Sequence, residues 1–186
     1  MKRLLQFAVV TACLLMAALL PLRSATLERL SMDDMIGKST SIVRGTVTAS
    51  WSAFTGSVIY THYKIQVSER FKGAASSTVE IMVPGGTVKD LHQGFSGSPL
   101  LNKGDEFVFF LWTSKAGITW ITGLTQGLFT LPAGSPSEAT ATRPPSRELT
   151  LDAVTGRPVK DTALSMSLSE LRSRVAASVA AQGGAK

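Results

Sequence analysis

Val58-Ile59-Tyr60-Thr61-His62-Tyr63-Lys64-Ile65-Gln66-Val67-Ser68-Glu69-Arg70-Phe71 alternates apolar and polar residues along its length. Such alternation, rich in β-branched and aromatic residues, marks a strand with one buried face. Val58 and Tyr60 fall on one parity, and Tyr63, Ile65 and Val67 on the other, which predicts a bulge or bend near Thr61-His62. Lys72-Gly73 stops the strand. Upstream, Thr55-Gly56-Ser57 reads as a turn, and residues 41–51 set Ile42, Val43 and Val47 among small polar residues, the pattern of a second half-buried strand. Downstream, residues 78–83 carry Val79, Met82 and Val83 and end at Pro84-Gly85-Gly86. A loop-rich stretch over 87–104 leads to 107–112, a nearly continuous apolar run expected of a strand covered on both faces. Residues 118–122 return as its hairpin partner, and 128–131 make a last short strand. Five or six short strands with Gly-rich turns predict a mainly β fold, a small barrel or sandwich.

Helices flank this core. Ser31-Met32-Asp33-Asp34 opens a short one, with Ser31 as N-cap and Met32, Met35 and Ile36 on one face. Residues 132–148 are rich in Pro, Ser, Ala and Thr with almost no large apolar side chain, and read as a flexible linker. A hairpin around Thr155-Gly156 is expected over 149–159. The tail then forms an amphipathic helix: Ser167-Leu168-Ser169-Glu170 is a capping box, and Leu168, Leu171, Val175 and Val179 make one stripe.

The N-terminus reads as a secretory signal peptide over 1–25. Lys2 and Arg3 precede an apolar run to Leu22, Pro21 breaks it, and Arg23-Ser24-Ala25 offers small residues for cleavage. An uncleaved anchor is the competing reading, because the run approaches the ~20 residues that span a bilayer. Cys13, the only cysteine, lies inside the apolar run, where a lipoprotein would already be mature. Without the leader the chain has no cysteine, hence no disulfide framework and no cysteine-bound metal. Of 19 basic residues, Lys2, Arg3 and Arg23 leave with the leader; 16 then stand against 13 acidic ones, an ordinary surface with no basic concentration for nucleic acid. The domains expected are thus a signal peptide over 1–25, a β domain over 26–131, the linker over 132–148 and a hairpin with helix over 149–186.

Three stretches carry a resemblance: Ser41-Ile42-Val43-Arg44-Gly45-Thr46-Val47, then Val67-Ser68-Glu69-Arg70-Phe71-Lys72-Gly73, then Val79-Glu80-Ile81-Met82-Val83-Pro84 with Lys103-Gly104-Asp105-Glu106-Phe107-Val108-Phe109-Phe110-Leu111. In their order they resemble the netrin-like module shared by tissue inhibitors of metalloproteinases, and a group of bacterial exported proteins with the same skeleton. The resemblance covers residues 30–131 and implies an OB-like five-stranded barrel. Inhibitors of that family grip the catalytic zinc through an N-terminal cysteine; this chain has none to offer, so the fold carries over and no functional residue does.

Gly94-Phe95-Ser96-Gly97-Ser98-Pro99 looks like the nucleophile loop of trypsin-like peptidases, in which glycines free backbone N–H groups to face an oxyanion. His62, Asp90 and Ser96 would supply a triad in that family's chain order. His62, however, falls in mid-strand and only 34 residues before Ser96, far closer than that double-barrel fold places its base. His92 is closer still. A Gly/Ser/Pro loop entering the next strand explains the motif without catalysis. No His/Asp/Glu spacing suits a metal, and no cofactor is implied. Among the aromatics near the first hairpin, Trp51 and Phe54 are the expected exposed pair for ligand binding, the alternative being that they plug the barrel ends. The resulting expectation is an exported, non-enzymatic binding module for an extracytoplasmic protein or glycan. A small serine hydrolase using Ser96, or an accessory or inhibitory domain for an exported peptidase, are the alternatives. Membrane contact is expected only if the leader stays attached.

Overall fold

The computed structural model describes residues 25–183. Apart from Ala25, the leader expected over 1–25 lies outside the described residues. The chain opens with a strand, β1 (Thr26–Glu28), and a helix, α1 (Met32–Lys38). Ser31 and Asp34 form a reciprocal capping box: the Asp34 N–H donates to the Ser31 hydroxyl at 3.1 Å, and the Ser31 N–H to the Asp34 carboxylate at 3.0 Å. Hydrogen bonds from the Ser31 hydroxyl and N–H hold the Asp34 carboxyl below its ordinary pKa. Met32, Met35 and Ile36 are buried, as their spacing predicts. At the far end of α1, the Lys72 ammonium donates to the Ile36 carbonyl at 2.6 Å, a cation where the helix dipole favours one.

A long hairpin follows, β2 (Ser41–Thr55) and β3 (Val58–Lys72), turned by Gly56 at φ 61°. The bulge expected near Thr61-His62 is absent: these residues pair in regular register with Ser52 and Trp51. The reason is that Ile59, not Val58 or Tyr60, is the buried residue there, so inward parity runs unbroken from Ile59 through Tyr63 to Ile65. Thr61, between Ile59 and Tyr63 on that parity, is a polar residue whose hydroxyl donates to the Gly85 carbonyl at 2.7 Å. The irregularities lie towards the open end of the hairpin instead: β3 carries an extra residue at Ser68 and at Phe71, and β2 one at Thr48. Gly45 sits at a close approach of the two strands: a Cβ there would lie 2.6 Å from the Gln66 carbonyl oxygen.

β4 (Thr78–Pro84) pairs antiparallel with β3. β5 (Gly86–Val88) and β6 (Leu91–Gln93) form a small hairpin inside the stretch that reads as loop. β7 (Glu106–Thr113) pairs with β2, with β8 (Thr119–Ile121) and, beyond a 3-10 turn at Leu124–Gly127, with β9 (Leu128–Leu131). β8 also meets β4 through a parallel bridge, Met82 to Trp120. The pairings β7-β2-β3-β4-β8 and back to β7 therefore close a ring of five strands. β10 (Thr140–Arg143) and β13 (Leu164–Ser167) extend the same sheet outward from β9, while β11 (Leu149–Leu151) sits between β1 and β12 (Pro158–Val159) in a separate mixed sheet. The terminal helix α2 (Leu168–Gly183) completes a mainly β fold with a helix towards each end.

The flexible linker expected over 132–148 is corrected by this arrangement, because that stretch contains β10 and is fastened by arginines. Arg44 pairs with Glu106 at 2.6 Å, both nearly buried, and its other guanidinium nitrogens donate to the carbonyls of Ser135 and Pro136. The second Glu106 oxygen accepts the Gly134 N–H at 3.1 Å. Arg143, 2% exposed, donates to both Asp161 carboxylate oxygens at 2.8 and 3.1 Å. Polar anchoring replaces the apolar side chains whose scarcity reads as a linker.

Two cores result. One fills the ring, with Val47, Tyr63, Ile65, Ile81, Phe109, Leu111 and Ile121 among its members. The other lies outside the β2–β7 wall, where Ile42, Val108 and Phe110 meet α1 and α2. In α2, Leu168, Leu171 and Val175 are buried in this second core, whereas Val179 is exposed. The Glu170 N–H donates to the Ser167 hydroxyl at 3.1 Å, half of the expected capping box. Arg172 clamps the helix to the sheet through both oxygens of Glu69, at 2.6 and 3.2 Å, which raises its pKa.

Candidate functional site

The β7–β8 hairpin sets Trp112 directly across from Trp120. Both line a cleft of about 460 Å³ whose other walls are Leu27 and Glu28 of β1 and Lys38 at the end of α1. Its floor is built by an amide. Gln126 is fully buried in the 3-10 turn, accepts the Leu30 N–H at 2.9 Å and donates to the Glu28 carbonyl at 2.8 Å. It therefore satisfies backbone groups of the first segment as a neighbouring strand would. Gly123, at φ 65°, starts this turn, and a Cβ there would lie 2.8 Å from the Leu30 side chain. Ser39 and Thr122 hydroxyls share a hydrogen bond at 3.0 Å beneath the rim. The rim carries one ion pair, Lys38 to Glu28 at 2.7 Å, half exposed on both sides. Two indoles above a rigid floor, with a charged pair at the edge, make a pocket that can hold a flat or ring-shaped group and orient it by hydrogen bonds.

Trp51 and Phe54, the pair expected to bind ligand, are both exposed, at 43% and 47%. They do not form one surface. Trp51 pairs with His62 and Phe54 with the buried Ile59, so the two side chains leave opposite faces of β2. Trp51 instead stacks on the His62 ring, with centroids 5.2 Å apart and planes within 10°.

Of the alternative triad, His62 Nδ1 is engaged by Glu80 at 2.8 Å, the position an orienting Asp90 would occupy. Asp90 is exposed in the turn between β5 and β6, beside Lys89 at φ 54°. Ser96 lies in a turn closed by the Ser98 N–H on the Phe95 carbonyl. The Ser98 hydroxyl donates to the Pro84 carbonyl, and Gly97 packs against Glu148 closely enough that a Cβ would lie 3.1 Å from its carboxyl carbon. His92 Nδ1 shares a hydrogen bond with the Thr87 hydroxyl at 3.0 Å.

The Trp112–Trp120 cleft is not among the sites expected from sequence. Trp112 closes an apolar run and reads as core, while its facing partner depends on the hairpin register. Among the described residues, no three His, Cys, Asp or Glu side chains cluster as metal ligands, and no helix is long and apolar enough to cross a membrane. In comparisons with known proteins, no family model, no curated protein and no solved structure matches this chain.

Proposed function

We propose that this protein is an exported, non-enzymatic binding module, and that its strand ring is an OB-like barrel of the netrin-like kind. The observation that carries the binding role is the cleft lined by the cross-strand pair Trp112 and Trp120 over the Gln126 floor. Tryptophans held at the surface of a fixed scaffold, here Trp112 exposed and Trp120 half-buried, combine a large apolar face with an N–H donor and lose little entropy on binding. The stagger of the ring supports the barrel. Leu111 faces Ser41 of β2 directly, yet register followed from Leu111 through Ile121, Val83 and Thr61 arrives on β2 at Ser52. Displacement along the strand after one circuit is the shear of a closed barrel. The partner is a protein or glycan outside the cytoplasm.

The test is capture. The immobilised mature protein, exposed to an extracytoplasmic fraction and to cell-envelope material, retains a partner that the Trp112→Ala/Trp120→Ala double variant releases. Equal retention by the folded double variant would sink the placement of the site. Export is tested separately by N-terminal sequencing of the secreted form, which begins near Ala25; an intact Met1 refutes cleavage.

A further inference from the structure

All three tryptophans of the chain lie on one line across the sheet. Trp112 on β7 pairs with Trp120 on β8, Trp120 with Met82 on β4, Met82 with His62 on β3, and His62 with Trp51 on β2. Residues paired across strands project from the same side of a sheet, so the five share one face. It is the outer face, because their neighbours along the strands, Leu111, Ile121, Ile81, Val83 and Tyr63, fill the ring. Farther along the outside of β7, Val108 and Phe110 are covered by the helices; Trp112 lies past that cover and is 46% exposed.

We infer that this row, Trp112–Trp120–Met82–His62–Trp51, is the binding face for an extended glycan whose sugar rings lie on the indoles. The inference rests on the binding-module reading and gives it a ligand class. The row crosses four strand intervals, which at about 4.8 Å each gives a track of about 19 Å along the curved surface, long enough for several sugar rings in line. Trp51 is flanked on its own face by Ala49 and Ala53, small residues that leave the indole standing clear, while His62 fixes its plane by stacking. At the other side Tyr60 meets Trp120 edge-on, centroids 5.5 Å apart, and fixes that ring in turn. Ring C–H groups of a sugar pack on such faces by dispersion.

The polar neighbours suit hydroxyls rather than an ion or a lipid. Glu80 and Lys64 stand across from each other beside the row, and Glu80 also holds His62 at 2.8 Å. They supply one acceptor and one donor whose charges offset each other, so the face offers no net field for anionic lipid or nucleic acid. A protein partner would be met by a continuous apolar centre with a polar rim. Here the two exposed indoles are at the ends, and the middle of the row, Met82 and His62, is largely covered.

Because the chain has no tryptophan off the row, its tryptophan emission, excited selectively beyond the tyrosine band, reports this face alone. The experiment is a titration of the full mature protein with cello-, chito-, xylo- and malto-oligosaccharides, from disaccharides to hexasaccharides. The expected result is an emission change with one series, in affinity that rises with chain length. Trp51→Ala and Trp112→Ala each weaken the hexasaccharide by about tenfold, with melting temperatures unchanged and Val154→Ser as an off-row control. An unchanged emission with every series overturns the inference, as does binding that ignores chain length and survives Trp51→Ala. Protein capture through Trp112 and Trp120 without any sugar response refutes the glycan and leaves the binding module standing. Loss of both refutes both.

Discussion

Arg143 and Asp161 form the most deeply buried ion pair among the described residues, each side chain 2% exposed. Burial works to raise the Asp161 pKa, but the Arg143 hydrogen bonds and the Ser146 N–H at 2.7 Å outweigh it, and the carboxyl ends below its ordinary value. A depressed carboxylate contributes stability that is complete above its unfolded pKa, about 3.9, and is lost as pH falls through the lower folded value. Acid denaturation curves of the wild type should therefore steepen below about pH 4, and Asp161→Asn should flatten that limb. Arg143→Ala leaves Asp161 buried without its partner and should cost about 3–5 kcal/mol in urea unfolding; a loss under 1 kcal/mol would mean that water replaces the guanidinium. Among the described residues the Arg143 Nε has no hydrogen-bond partner, a cost of this arrangement. On the surface, the opposite orientations of Trp51 and Phe54 predict a split: Trp51→Ala lowers ligand capture, while Phe54→Ala, on the other face of β2, changes it far less. Equal losses would return the site to the hairpin end.

The elements differ in how much of them could be read from sequence. Both helices were legible, because Ser31 and Ser167 are capping residues in front of apolar stripes. Strands with large side chains were also legible, and β9 spans the expected 128–131. β10 was not. Its inward residues are Ala141 and Arg143, so the alternation is present but carries no large hydrophobe. β13 has only Met166 buried. Such strands are specified by long-range hydrogen bonds and ion pairs, which leave no local period in sequence. The Trp112–Trp120 cleft was hidden for a related reason, since register and not composition brings its two rings together. The arginine clamps make the element-level prediction. Arg44→Ala should release the Ser135 and Pro136 carbonyls and open the 132–136 turn to limited proteolysis, with the ring core still protected from hydrogen exchange. An unchanged cleavage pattern would show that β10 alone anchors the segment.

At the scale of the molecule, the shared wall β2–β7 has a core on each side, so damage to the wall is felt in both. Gly45 marks the point where β2 bends over Gln66 and Ile65, with no room for a methyl group. Gly45→Ala should destabilise by about 1–3 kcal/mol through overpacking, seen as a lower midpoint in thermal unfolding; an unchanged midpoint would mean that the neighbouring strands move apart without cost.

The second core is assembled from opposite ends of the chain: Leu30 to Ile36 come from one, Ala141 to Val175 from the other, and β1 lies parallel to β11. Folding order follows from that. The ring can close once residues up to the 3-10 turn are available, but α1 then rests on the β2–β7 wall alone, and its other side stays open until α2 covers it. A chain emerging amino-end first, whether from a ribosome or through a membrane pore, keeps one side of α1 uncovered until residues 164–175 arrive. Loop closure of that length is slow. During that interval Met35, Ile36 and Phe110 are open to other apolar surfaces, so the early-folded half is the part of this protein that a holding chaperone would recognise.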